Sequence, residues 1–118
     1  MSRMTVYVVD DCKDASDSLA TLLSVMGHNA VACYSAEQAL ELVEAEKPDC
    51  VMLDIAMPGT DGLGLVRRLR EQFGDDVVLV AVTGSPSDDP RVQATFVEVD
   101  HYFEKPVMLE QVRKLFPE

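Results

Sequence analysis

The sequence predicts an α/β domain built on one doubly wound, five-stranded parallel sheet with helices on both faces. Three observations carry that prediction. Five short runs rich in aliphatic and β-branched residues alternate with segments whose apolar residues recur at three- and four-residue spacing. Two of the runs, Cys50 to Asp54 and Val77 to Thr83, are apolar or nearly so throughout, which suits strands covered on both faces, as in parallel sheets. At 118 residues and 47% hydrophobic content, the chain fits a single domain over 1–118 that buries roughly two-thirds of its unfolded surface, with no room for a second.

Taken in order, Thr5-Val6-Tyr7-Val8-Val9 is a β-branched strand closed by Asp10 and Asp11. Ala15, Leu19, Leu22, Leu23 and Met26 mark a first helix, capped by Gly27. Ala30 to Cys33 is a weaker strand, placed nearer an edge. Ser35 and Gln38 match a capping box, Ala39, Leu40 and Val43 form the apolar stripe of a second helix, and Pro48 stops it. The run to Asp54 breaks at Met57-Pro58-Gly59. A third helix follows, with Leu65, Val66, Leu69 and Phe73 inside, and Arg67, Arg68, Arg70 and Glu71 on its solvent side; Gly74 ends it. After the strand to Thr83, Asp89 and Pro90 read as an N-cap and first helical position. The weakly patterned segment Arg91 to Val99 is expected to be the least stable helix. Asp100 to Glu104 is a short last strand, and Met108, Leu109, Val112, Leu115 and Phe116 form the stripe of a final helix.

Composition excludes several classes. Twenty-one acidic residues against ten basic give a formal charge of −11, which opposes direct contact with nucleic acid phosphates or anionic membrane surfaces. The N-terminal residues lack the apolar core of a signal peptide and no window approaches the length of a membrane span, so the expected location is the cytoplasm. Cys12, Cys33 and Cys50 form an odd set without CxxC spacing, pointing to reduced thiols. His28 and His101 have no second ligand at metal-binding spacing.

The polar residues gather at strand ends. Asp10 and Asp11 follow strand one, Asp54 closes strand three, Thr83 closes strand four and Lys105 follows strand five. Adjacent parallel strands lie about 4.8 Å apart, so groups at their carboxyl ends come within side-chain reach, at the rim where open α/β sheets bind ligands. Two carboxylates roughly 5 Å apart repel by about 3 kcal/mol at an effective dielectric of about 20, so three of them call for a cation. Oxygen ligands with open positions for water and phosphate suit magnesium. Cation, ammonium and hydroxyl around one carboxylate are the parts needed for that carboxylate to attack a phosphoryl group.

From Val6 to about Phe116 the chain resembles a response-regulator receiver domain, the phosphorylatable module of two-component signalling. The resemblance rests on Asp10-Asp11, on Asp54 with Met57-Pro58-Gly59 and Asp61-Gly62, and on Thr83-Gly84, Tyr102 and Lys105-Pro106. It implies a flavodoxin-like (βα)5 fold with strand order 2-1-3-4-5, and a receiver over 1–118 without an output domain. It also implies that Asp54 takes a phosphoryl group from the phosphohistidine of a histidine kinase or histidine phosphotransfer domain. Asp11, Asp54 and the Ala56 carbonyl would hold Mg2+ (or Mn2+), with Asp10 acting through a bound water. Lys105 would pair with phosphoryl oxygens ahead of a candidate cis peptide at Pro106. Thr83 and Tyr102 would switch the face formed by the fourth helix, last strand and last helix, where a downstream protein partner docks. Ala56 and Ser85 would flank the phosphoryl position and admit water. Such a domain is not a conventional enzyme; magnesium-dependent self-phosphorylation from small donors and slow self-dephosphorylation are expected.

Two positions depart from the family pattern. Glu98 stands where a turn glycine is usual, so if the turn needs a positive φ either Glu98 carries strain or the loop is rebuilt, and Cys12 stands where a further acid is common. Tyr102 also has a plain reading as an edge-strand aromatic. Among other classes, an aspartyl-nucleophile phosphatase would carry a second acid at Ala56, and a dinucleotide-binding protein would need a glycine-rich turn where Asp10 and Asp11 stand. The stronger alternative is a receiver-like interaction or dimerisation module that does not use phosphorylation.

Overall fold

The computed structural model describes residues 3–54, 62–83, 97–105 and 107–115. Five strands, β1 (Thr5–Val9), β2 (Asn29–Cys33), β3 (Cys50–Asp54), β4 (Val78–Thr83) and β5 (His101–Glu104), pair in parallel as one sheet in the order β2-β1-β3-β4-β5. Four helices are described: α1 (Lys13–Val25), α2 (Ala36–Ala45), α3 (Gly62–Phe73) and α4 (Leu109–Leu115). The expected sheet and its order are therefore present. Of the helix expected over Arg91 to Val99, Val97 and Glu98 are helical and residue 99 is not; the remainder lies outside the described residues.

Strand pleating divides the interior into two cores. Along β1, Val6 and Val8 face one side, and Tyr7 and Val9 the other. Along β3, Cys50 and Met52 join Val6 and Val8, while Val51 and Leu53 join Tyr7 and Val9. The first core closes under α1 and α4 through Ala20, Leu23 and Val112. The second closes under α2 and α3 through Ala39, Val43, Leu65, Val66 and Leu69. All five residues of β3 are buried, because both of its faces are covered.

Helix ends follow local chemistry. Gly27 has φ +96°, and α1 ends in a Schellman motif in which the His28 N–H donates to the Leu23 carbonyl at 3.1 Å and the Gly27 N–H to Ser24 at 3.0 Å. At α2, Ser35 Oγ accepts from the Gln38 N–H at 3.1 Å. The Gln38 side chain reaches back to the N–H of Tyr34 at 2.7 Å, one residue before the cap that a capping box would satisfy.

Two expectations are corrected. Arg70 does not lie on the solvent side of α3: its side chain is 19% exposed and its guanidinium donates to Gly74, Val77, Glu98 and Asp100. A guanidinium can leave the solvent because this ring of acceptors satisfies it. Met108 is exposed, since it precedes α4 instead of sitting on its inner face. Of the two outcomes open at Glu98, strain is absent, because no non-glycine residue among those described has positive φ.

Leu53 is fully buried between β1, β4 and the α2–α3 face, whereas Val25 is 80% exposed. Leu53→Ala is expected to lower unfolding free energy by about 2–5 kcal/mol, and Val25→Ala to change it by less than about 0.5 kcal/mol, as read from urea denaturation. The thiols should divide in the same way. Burial pushes Cys33 up to about 11 and Cys50 higher still, with the Asp100 and Asp49 charges adding to the latter, while Cys12 is exposed. A thiol-specific aromatic disulfide at pH 8 should label one cysteine quickly and two more only in denaturant.

Candidate functional site

Strand parity explains which polar groups meet. Asp10 continues β1 by one residue, its N–H donating to the Cys33 carbonyl at 2.9 Å, and so shares the face of Val6 and Val8. Asp54 shares the face of Cys50 and Met52. Lys105 continues β5, its N–H donating to the Thr83 carbonyl at 2.8 Å, and shares the face of Phe103. Three strands thus send two carboxylates and one ammonium to the same side of the sheet, above α1.

Lys105 joins them. Its Nζ donates to Asp10 Oδ2 at 2.7 Å and to Asp54 Oδ2 at 3.0 Å. The other Asp10 oxygen accepts from the Cys12 N–H at 3.0 Å, which directs the chain into α1. Asp10 and Asp54 are buried at 5% and 9% exposure, while Asp11 is exposed. Burial works to lower the Lys105 pKa, but hydrogen bonds to Asp10 and Asp54 and their charges outweigh it and raise it. The ammonium stays charged at neutral pH. Its contribution to stability is complete below the ordinary lysine value and is lost as pH rises through the higher folded value.

Asp10, Asp11 and Asp54 each offer a carboxylate oxygen, and these atoms lie within 4.8 Å of one another. Three carboxylates against one ammonium leave two formal negative charges in a small volume, so the cluster fits a divalent cation with oxygen preference. Asp10, Asp54 and Lys105 form the polar end of an apolar cleft of about 570 Å³ walled by Ala15, Leu19, Leu22, Met52, Val82 and Val107.

Thr83 and Tyr102 belong to the opposite parity. Tyr102 lies opposite Ala81, two residues before Thr83, so both fall on one face of the β4–β5 pair. Thr83 is buried at 2% exposure and Tyr102 is 54% exposed. Ala56, Ser85, the Met57-Pro58-Gly59 turn, Asp61, Gly84 and the Lys105-Pro106 bond fall partly or wholly outside the described residues. Among described residues, sequence reasoning missed Arg70 as a fastening group. Its only signal was an arginine adjoining the apolar stripe near the end of α3.

The chain from residue 6 to 116 matches the family described as the response regulator receiver domain. It is 34% identical over 109 residues to response regulator MprA of Mycobacterium avium, covering 92% of this chain and 47% of that protein. Against response regulator MprA of Mycolicibacterium vanbaalenii it is 36% identical over 107 residues, covering 91% and 46%. The chain therefore spans about half the length of these relatives. A CheY-like receiver domain from Methylobacillus flagellatus superposes with a TM-score of 0.85 at 28% identity, covering 97% of this chain and 96% of that one. NtrX from Brucella abortus superposes at 0.86 and 28%, covering 97% and 26%. With its acid cluster, bridging lysine and 2-1-3-4-5 sheet, this chain belongs to the response regulator receiver domain family of two-component systems.

Proposed function

We propose that the chain is a phospho-acceptor switch in which Asp54 takes a phosphoryl group from the phosphohistidine of a histidine kinase or histidine phosphotransfer domain. The observation that carries this reading is the Lys105 bridge to Asp10 and Asp54 beside a third carboxylate, Asp11. A carboxylate held by an ammonium remains a nucleophile and sits next to the charge needed to receive its product.

Asp54 attacks phosphorus, a phosphorus–oxygen bond forms, and the phosphorus–nitrogen bond to the donor imidazole breaks. Magnesium or manganese held by Asp11, Asp54 and the Ala56 carbonyl, with Asp10 acting through a bound water, would offset the negative charge of carboxylates and phosphoryl oxygens. Lys105 exchanges its Asp54 oxygen for a phosphoryl oxygen while keeping Asp10. Thr83 donates its hydroxyl to the phosphoryl group, and the exposed Tyr102 ring moves inward along the same strand face. A downstream protein reads the change on the face of β5 and α4, where Met108 is also exposed. Ala56 and Ser85 are proposed to flank the phosphoryl group and to admit the water that ends the signal.

Intact mass after incubation with acetyl phosphate tests the central claim. The wild type should gain one labile phosphoryl group with magnesium and none without it, and Asp54→Asn should gain none. Magnesium binding without labelling would instead favour a phosphorylation-independent interaction module.

Lys105→Met separates metal binding from phosphoryl transfer. Removing the ammonium deletes a repulsion toward a divalent ion, so magnesium should bind about tenfold tighter or more by calorimetry. Labelling by acetyl phosphate should fall steeply. Equal losses of both would mean that Lys105 supports the fold and has no direct part in transfer.

A further inference from the structure

We propose that Arg70 is a positioning residue for the switch strand, and that its clamp on residues 98–100 holds Tyr102 in its outward state. The proposal rests on the phospho-acceptor reading for its functional consequence.

The guanidinium connects three parts of the chain. Its Nε donates to the Glu98 carbonyl at 3.0 Å, Nη1 to the carbonyls of Gly74 at 3.0 Å and Val77 at 3.3 Å, and Nη2 to Asp100 Oδ2 at 2.8 Å. Asp100 is held again by β4: its Oδ2 accepts from the Leu79 N–H at 2.8 Å and its own N–H donates to the Leu79 carbonyl at 2.8 Å. One side chain from α3 thereby fastens the entrance of β5 to the entrance of β4. A planar fork of donors can serve separated acceptors in this way, and an ammonium cannot serve them with the same geometry.

Residues 97 to 105 contain no glycine, and Val97 and Glu98 are helical, so the backbone enters β5 without a left-handed turn. Arg67 adds little, because its Nε stands 3.8 Å from a Glu98 oxygen and its own side chain is 61% exposed. The base of the segment is bonded to α3 and β4, while Val97 and Tyr102 are 84% and 54% exposed.

Asp100 stands immediately before β5 and two residues before Tyr102, and Tyr102 shares a strand face with Thr83. Movement of Tyr102 toward Thr83 therefore pulls on the residue that Arg70 and Leu79 hold. The clamp biases the two-state switch outward, and phosphorylation works against it.

The test uses the full chain labelled with 3-fluorotyrosine, whose fluorine spectrum reports Tyr7, Tyr34 and Tyr102, with Tyr102→Phe for assignment. In wild type, magnesium with acetyl phosphate should move the Tyr102 resonance. In Arg70→Met that resonance should already be displaced at rest in the same direction, with Tyr34 unmoved. The acetyl phosphate needed for half-labelling should fall about fivefold, the lower range of coupling between sites. Arg70→Lys should behave like Arg70→Met, and Arg67→Met like wild type. A lower melting temperature with an unmoved Tyr102 resonance and unchanged labelling would overturn the proposal. If acetyl phosphate labels no variant, the phospho-acceptor reading fails, while the resting Tyr102 resonance still decides the clamp. Should Arg70→Met not fold, Asp100→Asn removes the charge facing Arg70 but keeps an acceptor for Leu79, and the same criteria apply.

Discussion

The ammonium of Lys105, 2.7 Å from Asp10 and 3.0 Å from Asp54, holds together a site whose carboxylates would otherwise repel one another inside a largely apolar cleft. The contact spans 95 residues to Asp10 and 51 to Asp54, so it exists only when β1, β3 and β5 occupy one sheet in register. Two order-giving features supply that register. The fully buried β3 fixes the centre, and the backbone bond from Lys105 to Thr83 fixes the last strand against β4. A one-residue slip of β5 would send the ammonium to the opposite face and leave two buried acids without their cation.

The same pleat separates the acid cluster and its lysine from Thr83 and Tyr102. Asp10, Asp54 and Lys105 belong to the rows that face α1 and α4, whereas Thr83 and Tyr102 belong to the alternate rows. Thr83 closes β4, the strand that neighbours both β3 and β5. Rigidity is distributed to match. The central strands are sealed between two cores, while β5 is an edge strand with three of four residues exposed, tied at its base by Arg70 and Asp100. Motion is least costly where burial is least.

Much of this was legible in the residue pattern. Periodicity located the strands and described helices, since burial on one or two faces writes itself as a local repeat. The caps at Gly27 and Ser35 were readable because capping is decided within a few residues. Asp10, Asp11, Asp54 and Lys105 could be nominated because each stands at the end of a recognisable strand. Arg70 could not, because its acceptors at Gly74, Val77, Glu98 and Asp100 come from a helix end and two strand entrances that no local repeat relates. Met108 was misplaced for a similar reason: the inner face of α4 depends on where the helix starts.

By itself the sequence determined the alternation of elements, the two-sided burial of the central strands and the acids that close them, all properties of short-range spacing and hydrophobicity. Tertiary structure alone decided which rows of side chains meet. The bridge from Lys105 to Asp10 and Asp54, the separate face of Thr83 and Tyr102, and the clamp at Arg70 depend on register between distant segments. A period-two pattern marks alternate faces within each strand but does not say how those faces align with another strand.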